Sequence, residues 1–376
     1  MPMSSTYDAV IIGGGVIGCS IAYQLSRRKK KVLLLEKERV GEKASSAAAG
    51  MLGAQMEFEV GHPLYPLAKT SREMFRSLSQ ELYEVSGIDI ELIEKGIYEL
   101  AFTEEETFQL QRRGEKDFFY GEKISWLSSA ELQEREPALS TSARGALYFP
   151  NDGQVSPIKL TKAYLEAAKT FDAEVKEHTE VTRLVQNGNR ITGVQTKSET
   201  ILAEHVILAG GVWSSELVPA LQMVPVKGEC VSFITDKPLL TGTVKYKGCY
   251  LVPKRHNRIV IGATSIPDTF DEKVTFTGMF ELMERAKKIV PSLQEAIFER
   301  AWTGIRPQTK SGRPYIGPHP VVEGMFLAAG HYRNGILLSP LTGKMIADQI
   351  ESEVRINEAY DQRRRGTGTG FAAVDN

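Results

Sequence analysis

Residues 7–12 form a short β-branched apolar run, and after a cluster of glycines Ile17, Ile21 and Leu25 recur at helical spacing. The pattern predicts strand, glycine turn and helix, and the run KVLLLEK at 31–37 predicts a second strand. Leu67, Ser71, Phe75, Leu78, Leu82 and Val85 step by three and four up to Gly87, which predicts one long helix over about residues 64–86. Residues 159–171 read as another amphipathic helix, and Glu180–Gln186 with Arg190–Thr196 as a hairpin around NGN. Over 88–150 and 224–264 the pattern changes to short strands (YELAF, GALYFP, VPVKGECVSFIT, CYLVP, RIVIGAT). Capping boxes at Thr103/Glu106 and Ser128/Glu131 place helices among the first of them. Residues 205–215 read as a strand, and residues 324–350 again as strand, glycine turn and helix. The strand-turn-helix pattern therefore returns three times, interrupted by antiparallel insertions.

The uncharged stretch 9–26 invites a membrane reading. Its glycines, the absence of a preceding cation and the basic run Arg27–Lys31 after it fit neither a signal peptide nor a span. The basic run reads as a solvated helix end. With 376 residues, 46 Lys+Arg and 47 Asp+Glu, the chain is long enough for two domains and has a net charge of −1. No net positive field attracts nucleic acid or an anionic membrane, so neither is expected as a partner. Cys19, Cys230 and Cys249 are too few and too scattered for a disulfide framework, which suits the cytoplasm. His62, His178, His205, His256, His319 and His331 lack metal spacing, and there is no G-x-S-x-G elbow, so neither a metal site nor a serine hydrolase is expected.

The first turn is GGGVIG, a G-x-G-x-x-G with Gly13, Gly15 and Gly18 between a strand and a helix. Gly13 permits the tight turn, Gly15 lets backbone approach a pyrophosphate, and Gly18 lets the helix lie on the sheet. Val16 and Ile17 open that helix, whose unpaired N–H groups suit an anion. Glu36 follows 23 residues after Gly13, at the end of the second strand. A carboxylate there accepts from a ribose 2′-OH and repels a 2′-phosphate, which implies an adenosine without that phosphate. The small-residue segment SSAAAGMLGA at 45–54 allows close approach to a planar ligand, or is an ordinary helix start capped by Ser45 or Ser46.

Together GGGVIG with Glu36, HVILAGGVWS, WTGIRPQTKSGRPYIG at 302–317 and AAGHYRNGILLSP at 328–340 resemble the FAD-dependent amino acid oxidase superfamily. SSAAAGMLGA, VKGEC and CYLVP bring the resemblance to its glycine-oxidising branch, along almost all of residues 5–360. The implied fold is α/β: a Rossmann-like FAD-binding domain (1–85, 150–220 and 308–361) interleaved with an α+β substrate domain on an antiparallel sheet (86–149 and 221–307). Residues 362–376 read as a disordered tail. The resemblance implies FAD held by Gly13, Gly15, Val16, Ile17, Gly18, Glu36, Lys37, Ala44, Ser45, Ala49, Gly50, Met51 and the backbone of Val181. It adds His331, Tyr332, Arg333, Asn334, Gly335, Ile336 and Leu337 from the last turn. That attachment should be non-covalent, because no cysteine lies in the last flavin segment.

The implied reaction is oxidative deamination of glycine and other small amines (sarcosine, small D-amino acids) to an imine and glyoxylate. O₂ becomes H₂O₂, and the imine would supply the thiazole of thiamine. Such chemistry needs a cation that grips a carboxylate in two places, for which an Arg fork is best suited. Arg306 is the first choice; Tyr250 adds a hydroxyl, and Arg333 serves either carboxylate or flavin. His331 acts through its backbone rather than as a base, and Cys249 is a small buried thiol. Rival readings are a sarcosine or D-amino acid oxidase or dehydrogenase with another acceptor, or a flavin subunit of a larger complex. The resemblance suggests a homotetramer.

Overall fold

In a computed structural model, which describes residues 6–119 and 123–352, the apolar runs assemble into two large sheets. The expected tail at 362–376 and the end of the first unit beyond residue 352 lie outside the described residues. The first sheet runs, in spatial order, Tyr315–Pro318, Met325–Ala329, Thr200–Leu208, Tyr7–Ile12, Val32–Leu35 and Glu174–Lys176. Its middle pairings are parallel. Val32–Leu35 and Met325–Ala329 are wholly buried, as expected of strands covered by layers on both faces. Helix Val16–Ser26, buried at every position, packs against Gly335–Ser352 and Pro157–Thr170 on one face. The hairpin Val181–Asn187 and Arg190–Thr196 is appended to Thr200–Leu208.

The second sheet contains Met223–Ile234, Arg258–Gly262, Cys249–Lys254, Thr243–Tyr246, Ile97–Ala101, Gly145–Phe149 and Ser125–Ser128. It is antiparallel except that Thr243–Tyr246 runs parallel to Ile97–Ala101, a non-local pairing that local pattern does not reveal. The capping boxes open Glu104–Phe119 and Ser129–Arg135. Several elements go beyond the sequence reading, two of them long. Strand Ile297–Thr309 pairs along the whole of Met223–Ile234, and helix Phe276–Ile289 starts at Thr275, whose hydroxyl accepts from the Gly278 N–H. The long helix over 64–86 is in fact two, Tyr65–Glu73 and Phe75–Ser86, meeting at Met74. No helix among the described residues is long and apolar enough to cross a membrane.

The sheets meet through Ala49 and Met51 on one side and Tyr250, Val252, Val260 and Trp302 on the other. Trp302 also donates its indole N–H to the Ala47 carbonyl at 3.1 Å. A long cleft opens along this seam.

Candidate active site

The cleft encloses about 1900 Å³ free of protein atoms, its mouth included, and runs from the first glycine turn to the second sheet. At its near end, Gly13, Gly15, Val16 and Ile17 line it at the start of helix Val16–Ser26. Gly18 does not line it: a Cβ there would overlap the Gly13 carbonyl, so its role is to seat the helix. The Val16 N–H donates to the Ser45 hydroxyl at 2.9 Å. Ser45 therefore caps the dinucleotide helix from a distance of 29 residues, whereas its own short helix, Ala44–Ala47, has no side-chain cap. Glu36 accepts from the Gly14 N–H at 2.7 Å and the Glu38 N–H at 2.9 Å, which turns its carboxylate toward the glycine turn. Lys37, Ala44, Ala49, Gly50, Met51 and Val181 line the same stretch.

At the other end the last turn supplies His331, Tyr332, Arg333, Asn334, Gly335 and Ile336. Leu337 is buried in the helix core instead and does not reach the cleft. The N-terminus of Gly335–Ser352 thus faces the cleft and presents the positive end of an 18-residue helix dipole. His331 is buried, bonded through Nε2 to the Thr342 hydroxyl at 3.1 Å, and burial pulls its imidazole down to about 3. The imidazole is therefore held neutral, with Nε2 engaged by Thr342.

Arg306 comes from strand Ile297–Thr309 opposite Val226. Its guanidinium lies across Gly228 of the neighbouring strand, and a Cβ on Gly228 would overlap it. Nη1 donates to the Thr264 carbonyl at 3.1 Å and more weakly to the Lys227 carbonyl at 3.5 Å. Among the described residues no carboxylate lies within ion-pair distance of Arg306. Tyr250 and Cys230 line the cleft beside it, with Sγ and the phenol oxygen 3.6 Å apart. Burial raises the Tyr250 phenol well above its ordinary value and also raises the Cys230 thiol, so both stay protonated. Cys249 points elsewhere; it is buried in the second core, and its thiol is pushed up to about 12. The arrangement offers an anion one half-buried cation and one hydroxyl.

Arg333 stands at the cleft mouth, 37% exposed, and pairs with Glu57 at 3.2 Å. Glu57 escaped the sequence reading. Its short helix, Ala54–Glu57, is held at the start by buried Asp152, which accepts from the Gln55 and Met56 N–H groups and pairs with Arg72 at 2.6 Å. Arg113 donates to the Gln55 and Met56 carbonyls at its end. No local motif marks this clamp. Trp213 was missed as well: it lines the cleft, with the Lys37 ammonium 4.3 Å from its ring centre. Its local signal is the aromatic that follows the glycine turn in AGGVW.

The residues suit a flavin dinucleotide by donor chemistry: helix N–H groups for a pyrophosphate, a carboxylate for a ribose, and a second helix N-terminus for an electron-rich ring edge.

Comparison with known proteins agrees. The FAD dependent oxidoreductase family matches residues 8–349. The chain is similar to glycine oxidase of Geobacillus kaustophilus, 47% identical over 96% of both chains. It also matches the bifunctional protein ThiO/ThiG of Trichormus variabilis, 33% identical over 92% of this chain and 53% of that protein. The crystal structure of the Geobacillus kaustophilus enzyme superposes with a TM-score of 0.90, covering 95% of this chain and 96% of that one.

Proposed function

The chain belongs to the FAD dependent oxidoreductase family, and on that premise we propose that it oxidises glycine and other small amines, sarcosine and small D-amino acids among them, to imines. FAD is the cofactor, and when bound it supplies the two-electron oxidising chemistry and the link to O₂. The glycine turn and the start of helix Val16–Ser26 hold its pyrophosphate, Glu36 its ribose, and the turn 330–336 its ring system, without a covalent bond. Arg306 binds the substrate carboxylate through its fork while Tyr250 donates a hydroxyl to the same group. Arg333 and Glu57 form the mouth through which the substrate passes.

One observation carries the substrate class: a half-buried Arg306 that is held by carbonyls and has no carboxylate partner among the described residues. Desolvating a guanidinium is costly unless an anion completes it, so the site is built for a ligand carboxylate. The amine reacts unprotonated, and no side chain is required as base. We further propose that the imine feeds thiazole formation, as the similarity to a bifunctional ThiO/ThiG protein supports. The division of the chain into interleaved FAD-binding and substrate domains, a cytoplasmic location and a homotetramer belong to the same proposal. Exposed Phe276, Phe280, Ile297 and Phe298 of the second unit, the first two stacked on each other, support association of copies.

The deciding experiment is O₂ uptake by the purified holoenzyme over glycine, sarcosine, D-alanine, D-proline and L-alanine. Turnover of glycine and the D-amino acids with H₂O₂ formation is expected; turnover confined to L-alanine, or none with O₂, would overturn the assignment.

A further inference from the structure

Strand Met223–Ile234 shows two faces to its surroundings. Gly228 and Cys230 look into the cleft, whereas Lys227 and Glu229 do not line it and are 2% and 0% exposed. Glu229 joins this strand to residues 264–275. Its N–H donates to the Thr264 hydroxyl at 2.9 Å, and its carbonyl accepts from the Thr264 N–H at 3.3 Å. Its carboxylate accepts from the Thr275 N–H at 2.9 Å and the Thr275 hydroxyl at 3.3 Å, at the start of helix Phe276–Ile289. The Thr264 hydroxyl reaches it at 3.5 Å. Lys227 pairs with it at 3.3 Å and with Asp271 at 2.8 Å.

The stitched residue Thr264 is the one whose carbonyl receives Arg306 Nη1, and the Lys227 carbonyl is the second acceptor. Both acceptors of the guanidinium therefore belong to residues tied to Glu229. We propose that Glu229 is a positioning residue: it fixes the Thr264 and Lys227 carbonyls and so aims the free nitrogens of Arg306 at the substrate carboxylate. The proposal rests on Arg306 being the carboxylate clamp. A carboxylate buried behind the clamp is well suited to this task, because it accepts several donors at once and cannot be displaced by a substrate anion.

The test uses FAD-loaded enzyme and glycolate, a small carboxylate with no amine to oxidise, measured by calorimetry. Glu229→Gln preserves shape and removes the charge opposite Lys227; Thr264→Val removes the hydroxyl and leaves the carbonyl. Each variant should raise the glycolate Kd and the glycine KM by about threefold to tenfold, the worth of one weakened hydrogen bond, with kcat changed by less than about twofold. Bound FAD per chain should not change. If Glu229→Gln fails to fold, Thr264→Val decides alone. Parental glycolate affinity in a folded variant, or a loss seen only in FAD content or melting temperature, would overturn the proposal. Arg306→Ala is measured alongside: if it too binds glycolate normally, the clamp reading falls and this inference with it, whereas a loss there with normal binding in the other two refutes only the role of Glu229.

Discussion

Arg306→Ala tests the site most directly. In the folded chain Nη1 is occupied by two carbonyls, so the remaining guanidinium nitrogens are the ones available to a ligand. A carboxylate gripped there gains two charge-assisted hydrogen bonds, each worth about 1.5–3 kcal/mol, and together about 3–5 kcal/mol once partial exposure is allowed for. At about 1.4 kcal/mol per power of ten, kcat/KM for glycine should fall by roughly two to four powers of ten. Part of that loss should appear in kcat, because a substrate held only by its amine samples unproductive orientations. Arg306→Lys should recover only part of it, since one ammonium cannot reproduce a planar fork. Steady-state O₂ uptake gives the kinetic reading and glycolate calorimetry the binding one, with the flavin spectrum confirming that cofactor occupancy is unchanged. If Arg306→Ala keeps efficiency within about threefold of the parent while Arg333→Ala loses glycolate binding, the two arginines exchange roles and the cleft has been read in the wrong direction.

At the mouth, the Arg333–Glu57 pair is partly exposed, so Arg333→Ala should lower kcat/KM by less than about tenfold and leave glycolate binding largely intact. Glu36→Arg removes the acceptor for the Gly14 N–H and for a ribose hydroxyl, so FAD per purified chain should fall and added FAD should partly restore activity; unchanged occupancy would make Glu36 a mere loop cap. The purified protein should be yellow and acid precipitation should release the colour; flavin retained in the pellet would refute a non-covalent site. His331 supplies a pH test. Its folded value is lowered from 6.5 to about 3, so the unfolded chain binds the extra proton and stability declines as pH falls through that window. Between pH 7 and 5 the parent should lose about 2 kcal/mol more than His331→Asn by denaturant titration, at about 1.4 kcal/mol per pH unit. An equal loss in both would mean that His331 is hydrated.

The parts legible in the sequence were those governed by neighbours along the chain. The glycine turn, Glu36, both capping boxes and the hairpin around NGN are local, and each stands where its residues pointed. Helix Phe276–Ile289 carries a readable signal as well, a threonine cap followed by Leu282, Ala286 and Ile289 at steps of four and three, in a stretch beyond the strand block 224–264 where no element is predicted. Strand Ile297–Thr309 was hidden for a physical reason. Few of its positions are fully buried: its first residues are largely exposed and residues 304–307 in succession line the cleft, so the usual alternation is absent. Glu57 acquires its place from Asp152 and Arg113, which lie far away in sequence, and no spacing rule reaches across such distances.

Strand Met223–Ile234 shows why function adds to this difficulty. A two-residue period normally separates core from solvent, but here it separates cleft from a buried ionic network. Gly228 must lack a side chain, since any Cβ would occupy the space taken by the Arg306 guanidinium. Its neighbours must be charged and buried, because on the far face they bind the segment whose carbonyl holds that same group. The run VKGEC therefore violates the hydrophobic pattern of a central strand at the three positions nearest the clamp. Such a violation costs folding energy, and it persists where a site repays that cost. On this argument Gly228→Ala should be more damaging to carboxylate binding than its single methyl group suggests, because the displaced guanidinium would lose its two carbonyl acceptors together with its ligand. Glycolate calorimetry on that variant, with FAD occupancy as the control, would contradict the argument if affinity stayed at the parental value.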